Sequence, residues 1–283
     1  AIHEMSLGGA NLIYLTLKLL EFKYQTRKQP LANFLLIEEP EAHIHTHIQK
    51  SLFDNIKYPN TQVIYSTHSS HISEASNITN VNVIGKVGGV YSAFQPATNL
   101  SEPQVTSIER YLDAVRSNLL FAKSVLLVEG DAEEILIPIL TKEVIGLSLD
   151  ELGISLVNIR STGFQNVALL FHDERISKKC SIITDLDSPF FDNVKSAAQR
   201  SAESGSARKL KLDNFCENNK WIKPCYATHT FEVDLLLSKN NQAFVSTVED
   251  VYTDAGTIQI AKQGLQSNEI ATSGRRALTM ANN

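Results

Sequence analysis

The alternation of short apolar runs with helical segments after residue 123 is the feature that most restricts the fold. The strand-like runs are 124–130, 154–159 and 180–187, and the helical runs are 132–144 and about 165–175. Parallel strands need a crossover connection, usually a helix, whereas antiparallel strands can be joined by a tight turn. The pattern therefore predicts an α/β unit with a parallel sheet.

A similar but shorter pattern precedes residue 123. Its predicted elements are a helix over 6–22, a strand over 33–39, a helix over 47–56, a strand over 61–68, a hairpin over 80–96 that turns at Gly88-Gly89, and a helix over 103–121. We therefore expect a first α/β domain over 1–100, a linker helix over 101–122 and a second domain over 123–283. The polar, Ser-rich and basic stretch 196–211 is predicted to be a mobile loop.

Composition excludes several classes of protein. With 43% hydrophobic and 20% charged residues, the chain has the balance of a globular protein, and no apolar run approaches the roughly 20 residues that span a bilayer. The net charge of −5 means that nucleic acid must be bound by local basic patches. The odd cysteine count and the lack of a C-x-x-C pair favour a reducing, cytoplasmic location. The sequence begins Ala-Ile-His, so we expect it to be part of a longer protein.

Two strand candidates of the first domain end in polar side chains that suit a Mg–nucleotide site. Glu38 and Glu39 end one apolar run, and His68 ends the next. A carboxylate at a strand end can hold Mg²⁺, its neighbour can deprotonate a water, and a histidine can contact the γ-phosphate. Ser6 and Gly8 begin a helix, whose free N–H groups suit an anion. Taken singly, the glutamates could be a solvated helix start and Ser6-Gly8 only a helix cap.

In this order, the motifs resemble the second half of an ABC-type ATPase. "SLGGANLIYL" is similar to the signature motif, "LLIEE" to Walker B and "PEAHIH" to the D-loop region. The resemblance implies that Glu38 is associated with Mg²⁺, that Glu39 is the catalytic base, that His68 is the switch histidine and that the ATPase domain forms homodimers or higher oligomers. Walker A and the Q-loop are absent from the sequence. We therefore expect an incomplete ATPase lobe that binds ATP only together with a P-loop region.

The second domain places four carboxylates at the ends of two predicted strands. Glu129 ends the run 124–130, and Glu133 follows four residues later. Asp185 and Asp187 end another run and are two residues apart, hence on one side of an extended chain. Clustered carboxylates repel unless a cation neutralises them, and oxygen-only ligands suit Mg²⁺ or Mn²⁺. Either motif alone could be an ordinary turn or strand end.

Together these motifs resemble the Toprim domain, with its E-G-x-x-E and D-x-D motifs, on a Rossmann-like parallel sheet. An ATPase half followed by Toprim is similar to the layout of the OLD (overcoming lysogenization defect) nucleases. The resemblance implies that Glu129, Asp185 and Asp187 hold the core metal ions, and that Glu133 and Glu232, the latter within "THTFEVDLLL", complete a second metal site.

The sequence departs from the family at the lysine that is expected to stabilise charge on the phosphate. Ser273 stands at the matching position in "ATSGRRALTMA". The candidates for the missing cation are Lys262, Arg275 and Arg276, since a guanidinium also binds phosphate.

Two functions follow as hypotheses. The first is a metal-dependent DNA endonuclease or nickase that is regulated by the ATPase module and takes part in antiphage defence, as the resemblance implies. The second is an ATPase-like assembly or binding module that docks a defence partner protein, an RNA–DNA element or nucleic acid, with little catalysis of its own. Cleavage that EDTA abolishes would distinguish the first from the second.

Overall fold

The structure is a computed structural model that describes residues 6–26, 33–45, 48–49, 56, 58–70, 77–112, 116–160, 163–190 and 196–281. The chain forms two compact units. Unit 1 comprises Ala1–Ala122 and Asp173–Ser177, and unit 2 comprises Lys123–His172 and Lys178–Asn283. The α/β class predicted from the sequence is confirmed in both.

Unit 1 contains a parallel strand pair and a hairpin. Its elements are α1 (Leu7–Thr26), β1 (Asn33–Glu38), β2 (Thr61–Ser66), a 3₁₀ turn (Ile78–Asn80), β3 (Val83–Val87), β4 (Val90–Phe94), α2 (Glu102–Tyr111) and a second 3₁₀ turn (Arg116–Leu120). β1 and β2 are parallel, with Leu36 opposite Ile64. The predicted hairpin is confirmed, and Gly88 and Gly89 adopt the positive φ angles of 58° and 88° that a tight two-residue turn requires.

Two helix predictions in unit 1 have different outcomes. The helix predicted over 103–121 is wrong as a continuous element, because Leu112 leaves helical geometry with φ −85° and ψ 81° and its side chain is buried. The helix predicted over 47–56 falls largely outside the residues that the structure describes.

Unit 2 is built on a four-stranded parallel sheet in the order β6-β5-β7-β8. Its strands are β5 (Ser124–Val128), β6 (Ile154–Asn158), β7 (Lys179–Asp185) and β8 (Ile222–Ala227). Its helices are α3 (Asp131–Ile145), α4 (Leu149–Leu152), α5 (Phe164–Ala168), α6 (Ser196–Cys216), α7 (Phe231–Leu235), α8 (Asn241–Val251), α9 (Ala255–Leu265) and α10 (Ile270–Ala281), with a π-helical segment at Leu236–Asn240. Leu127 and Ile182 lie opposite each other and are fully buried at the centre of the sheet.

The sheet order places the ends of β5 and β7 side by side. Both strands run in the same direction, so the residues that follow Val128 and the residues that end β7 meet at one edge. The expectation that Glu129 and Asp187 lie at the ends of strands in one sheet is therefore confirmed. The carboxyl ends of neighbouring parallel strands are where α/β proteins build their sites.

The mobile loop predicted over 196–211 is wrong, because these residues belong to helix α6, which continues to Cys216. The stretch contains several Ala, Arg and Lys residues, which are good helix formers. Two i,i+4 pairs support the helix, Gln199 with Glu203 at 3.2 Å and Lys209 with Asp213 at 2.5 Å. The helix predicted near 165–175 is also shorter than expected, since α5 ends at Ala168.

Candidate functional site

The ends of β1 and β2 bring together Glu39 and His68 in unit 1. The backbone N–H of Glu39 donates to the carbonyl of Ser66, which ends β2. The His68 Nδ1 atom then lies 3.0 Å from Glu39 Oε1. Glu39 has a φ of 41°, a left-handed conformation that is uncommon outside glycine and that aims its carboxylate towards the neighbouring strand end. The structure thus brings the candidate base and the candidate switch histidine into hydrogen-bond range, while Glu38 ends β1 beside them.

A third glutamate, Glu41, supports this arrangement and was not assigned a role from the sequence. Its side chain is buried, and Oε1 accepts hydrogen bonds from the Thr67 hydroxyl at 2.6 Å and from the His68 backbone N–H at 3.0 Å. Hydrogen bonds to an ionised carboxylate are roughly twice as strong as neutral ones. Glu41 therefore holds the segment after β2 in place, so that His68 faces Glu39.

The start of α1 is fixed against the loop that follows Glu41. Asn11 Nδ2 donates to the carbonyl of Ala42 at 2.6 Å. A methyl group on Gly8 would overlap the carbonyl oxygen of His43 and lie 3.2 Å from its carbon, so the close approach requires glycine. Ser6 caps the helix, because its Oγ accepts the Gly9 N–H at 3.3 Å. Ser6 and Gly8 therefore lie at the same end of unit 1 as the glutamates, and their nucleotide-binding roles stay predictions.

Five carboxylates gather at the edge of the sheet in unit 2. Burial raises the pKa of Glu133, and the charges of Glu129 and Glu232 raise it further. Burial raises the pKa of Asp185 to about 7, with added repulsion from Glu133, Asp187 and Glu129. These mutual effects place all five predicted ligands in one electrostatic cluster.

Neighbouring groups orient the carboxylates within this cluster. The Thr184 hydroxyl donates to Glu129 Oε2 at 2.6 Å, and the Phe231 backbone N–H donates to Asp185 Oδ2 at 3.0 Å. Asp187, like Glu39, has a positive φ, here 53°. The other oxygen of Asp185, Oδ1, is buried and accepts no hydrogen bond from the described residues.

The cluster already contains a cation that the sequence analysis missed. Arg208 lies on α6, and only 11% of its side chain is exposed. Its Nη2 donates to the backbone carbonyl of Asp185 at 2.5 Å and lies 3.4 Å from Asp187 Oδ2, while Nη1 lies 3.5 Å from Glu129 Oε1. If "GSARKLKL" is treated as a helix, its periodicity places Arg208 on the same face as Gly205 and Leu212, and this pattern could have indicated Arg208 from the sequence.

The three cations predicted from the sequence are placed on the C-terminal helices. Lys262 Nζ pairs with Glu249 at 2.5 Å, and Arg276 packs against Gly264, where a methyl group would lie 2.5 Å from its Cγ. Arg275 is exposed on α10. Ser273, at the position expected for lysine, is buried and its hydroxyl bonds to the carbonyl of Glu269. The contact of Lys262, Arg275 or Arg276 with phosphate stays a prediction.

The donor set fits a hard divalent cation. All five side chains offer oxygen only, and the buried Oδ1 of Asp185, whose carboxyl has a raised pKa, has no hydrogen-bond partner among the described residues. Arg208 lies between Glu129 and Asp187. In this arrangement, no three His, Cys, Asp or Glu side chains in the described part of the chain come close enough together to hold a metal ion. The oxygen chemistry of these residues therefore suits Mg²⁺ or Mn²⁺.

Residues 120–187 match the family described as "Overcoming lysogenization defect protein-like, TOPRIM domain". The chain carries an OLD-like Toprim domain. Residues 1–73 match the AAA ATPase domain family, so an ATPase segment precedes the OLD-like Toprim segment.

Solved structures of OLD proteins resemble part of the chain. The C-terminal region of the Burkholderia pseudomallei OLD protein is 26% identical, covers 57% of this chain and 81% of its own, and gives a TM-score of 0.43. The C-terminal region of the Xanthomonas campestris pv. campestris OLD protein is 18% identical, covers 58% and 79%, and gives a TM-score of 0.40. No curated protein matches the chain significantly. Among the described residues, no helix has the length and apolar character to cross a membrane.

Proposed function

We propose that the chain is a Mg²⁺- or Mn²⁺-dependent DNA endonuclease or nickase, regulated by its ATPase unit. The OLD-like Toprim and AAA ATPase domains support a nuclease-type function. The observation that carries the proposal is the five-carboxylate cluster at the ends of β5 and β7, with the unpaired oxygen of Asp185 inside it. Without metal, the carboxylates of such a cluster repel one another. A binding site for divalent metal explains why the fold keeps them together.

In this proposal, each carboxylate has a defined task at the phosphodiester bond. Glu129, Asp185 and Asp187 hold the core metal, and Glu133 and Glu232 complete the second site. Divalent metal, when bound, supplies an activated water and stabilises the leaving oxygen. Thr184 and the Phe231 N–H fix the orientation of Glu129 and Asp185 by the hydrogen bonds described above.

The ATPase unit is proposed to regulate this chemistry. Glu39 acts as the base for a water that attacks ATP, Glu38 is associated with Mg²⁺, and His68 is held beside Glu39 at 3.0 Å. Because the sequence has no Walker A motif, we propose that ATP binds together with a P-loop region and that Ser6 and Gly8 contribute to that nucleotide site. Homodimers or higher oligomers through the ATPase unit, and a role in antiphage defence with a partner protein or RNA–DNA element, belong to the same proposal and rest on the family resemblance.

The nuclease proposal is tested with supercoiled plasmid in Mg²⁺ or Mn²⁺, with EDTA as the negative control. Asp185→Asn and Glu129→Gln should lower the rate about a thousandfold or more, because loss of a metal ligand costs several kcal/mol of transition-state stabilisation. Glu143→Gln on α3 is the matched control, since Glu143 is exposed and outside the cluster. A folded Asp185→Asn protein that cuts at the wild-type rate would refute the proposal.

One observation favours the assembly function as the second candidate. Phe34, Leu36 and Ile64 are exposed on one face of the β1–β2 pair, with Leu36 74% exposed. An apolar sheet face is a surface to which another protein segment can bind. If the wild-type chain cuts no DNA or RNA in either metal, while the metal-binding measurements below show an intact site, the assembly function replaces the nuclease.

A further inference from the structure

We propose that Arg208 is a catalytic cation of the nuclease centre. In the metal-free protein its guanidinium forms ion pairs with both Glu129 and Asp187. When divalent metal takes over those carboxylates, the same guanidinium contacts the scissile phosphate. The inference rests on the proposed nuclease function and assigns the phosphate contact to a residue outside the C-terminal helices.

The first support is the position of the guanidinium between two proposed metal ligands. Arg208 lies 3.5 Å from Glu129 and 3.4 Å from Asp187, one on each of the two strand ends. The side chain is almost fully buried, so solvent screens these interactions little. Glu129 and Asp187 therefore have a positive neighbour that any incoming metal ion must compete with.

The second support is that the guanidinium is anchored by a group that does not titrate. Arg208 Nη2 donates to the backbone carbonyl of Asp185, and this contact does not depend on the state of either carboxylate. When Glu129 and Asp187 turn to metal, the guanidinium stays at the site with N–H groups released. Its Nε atom is also buried and has no hydrogen-bond acceptor among the described residues. A planar guanidinium with free donors matches phosphate oxygens in pairs.

The third support is the rigid mounting of α6 on the aspartate loop. Gly205, one helical turn before Arg208, packs directly on the backbone of Leu186, which lies between the two aspartates of the D-x-D motif. A methyl group there would lie 2.6 Å from the Leu186 carbonyl carbon. Because backbone rests against backbone, α6 is held close to the aspartate loop, and the hydrogen bond to the Asp185 carbonyl then positions the guanidinium, as preorganised electrostatic stabilisation requires.

The experiment compares Arg208→Gln and Arg208→Lys with the wild-type chain. Lys209→Gln is the matched control, because Lys209 is the next residue on α6 but pairs with Asp213 and lies over the Tyr226 ring, outside the cluster. Two quantities are measured for each protein. These are Mn²⁺ affinity by calorimetry without DNA, and the single-turnover rate of plasmid cleavage at saturating Mn²⁺.

The proposal expects opposite changes in the two measurements for Arg208→Gln. Mn²⁺ affinity should rise about tenfold, because the metal no longer competes with a resident cation. Cleavage should fall roughly 100- to 1,000-fold, the usual effect of removing one charge-stabilising donor. Arg208→Lys should recover part of the rate, and Lys209→Gln should match the wild type in both measurements. A thermal melt of each variant confirms that it is folded.

The remaining outcomes separate this inference from the nuclease proposal. A purely structural Arg208 would weaken Mn²⁺ binding and cleavage together, which overturns the inference. Wild-type cleavage by folded Arg208→Gln also overturns it and leaves the nuclease intact. If wild-type protein binds Mn²⁺ but cuts no nucleic acid, both proposals fall, and the calorimetry alone decides whether Arg208 competes with metal.

Discussion

Substituting Gly205 by alanine should damage the proposed nuclease centre without touching any charged group. The new methyl group would lie 2.6 Å from the Leu186 carbonyl carbon, whereas carbon atoms meet at roughly 3.5–4.0 Å. Since the obstacle is backbone, α6 must move away by about 1 Å. Overpacking costs about 1–3 kcal/mol, and alanine returns about 1 kcal/mol of helix propensity, so we expect a net loss of about 1 kcal/mol in the free energy of unfolding.

The expected loss of activity is much larger than the loss of stability. A 1 Å shift of α6 carries Arg208 away from the Asp185 carbonyl, and a displacement of that size at a reacting centre can cost about a hundredfold in rate. Urea unfolding and plasmid nicking measure the two effects. Gly256→Ala on α9 is the matched control, because its methyl group would meet only the Asp254 side chain at 3.3 Å, and it should preserve both quantities. A Gly205→Ala protein as stable and as active as the wild type would refute the packing argument.

Three further predictions test other parts of the structure. Burial raises the pKa of the Asp185 carboxyl from its usual 3.8 to about 7, so the folded chain holds a proton there that the unfolded chain releases. The free energy of unfolding of the metal-free protein should therefore fall as the pH rises between these two values, and Asp185→Asn should flatten this fall in urea titrations at pH 5 and 8. Adding Mn²⁺ at about 100 times its Kd should stabilise the folded chain by about 2.7 kcal/mol in thermal melts, and EDTA should reverse this gain. A similar gain for the Asp185→Asn protein would contradict the assignment of Asp185 as a metal ligand. Glu41→Ala should cost about 2–3 kcal/mol in urea unfolding, because the Thr67 hydroxyl and the His68 N–H lose their acceptor; an unchanged midpoint would show that Glu41 supports nothing.

The sequence predicted the parts of the fold that local patterns encode. Apolar runs end at Glu39 and Glu129, each one residue beyond a strand of the structure, because a short apolar run bounded by polar residues is typical of a buried strand. The hairpin at Gly88-Gly89 was equally predictable, because two adjacent glycines permit the positive φ angles of a tight turn. Once parallel strands are predicted, it follows that the acidic strand ends lie together, and no further sequence information is needed.

The parts that were missed depend on contacts distant in sequence. Arg208 lies in a stretch whose serines and charges look like a loop, and its role depends on the register that Gly205 sets against Leu186. Glu41 received no role from the sequence, yet it is buried and accepts hydrogen bonds from Thr67 and His68, which follow the second strand. Local composition indicates which structure a segment prefers. It does not indicate which distant part of the backbone will pack against a given residue.

The contact between Gly205 and Leu186 also yields a pattern by which other sequences can be searched. An acidic pair of the form D-x-D, followed within about twenty residues by G-x-x-R on a polar helix, places the glycine on the aspartate loop and the arginine above the acids. A chain in which alanine or a larger residue replaces this glycine would have to seat its helix farther out, and its arginine would then fall short of the acids. The three-residue spacing between a small residue and a cation thus predicts the geometry of the centre from sequence. It can be recognised even where the surrounding residues suggest only an unstructured surface segment.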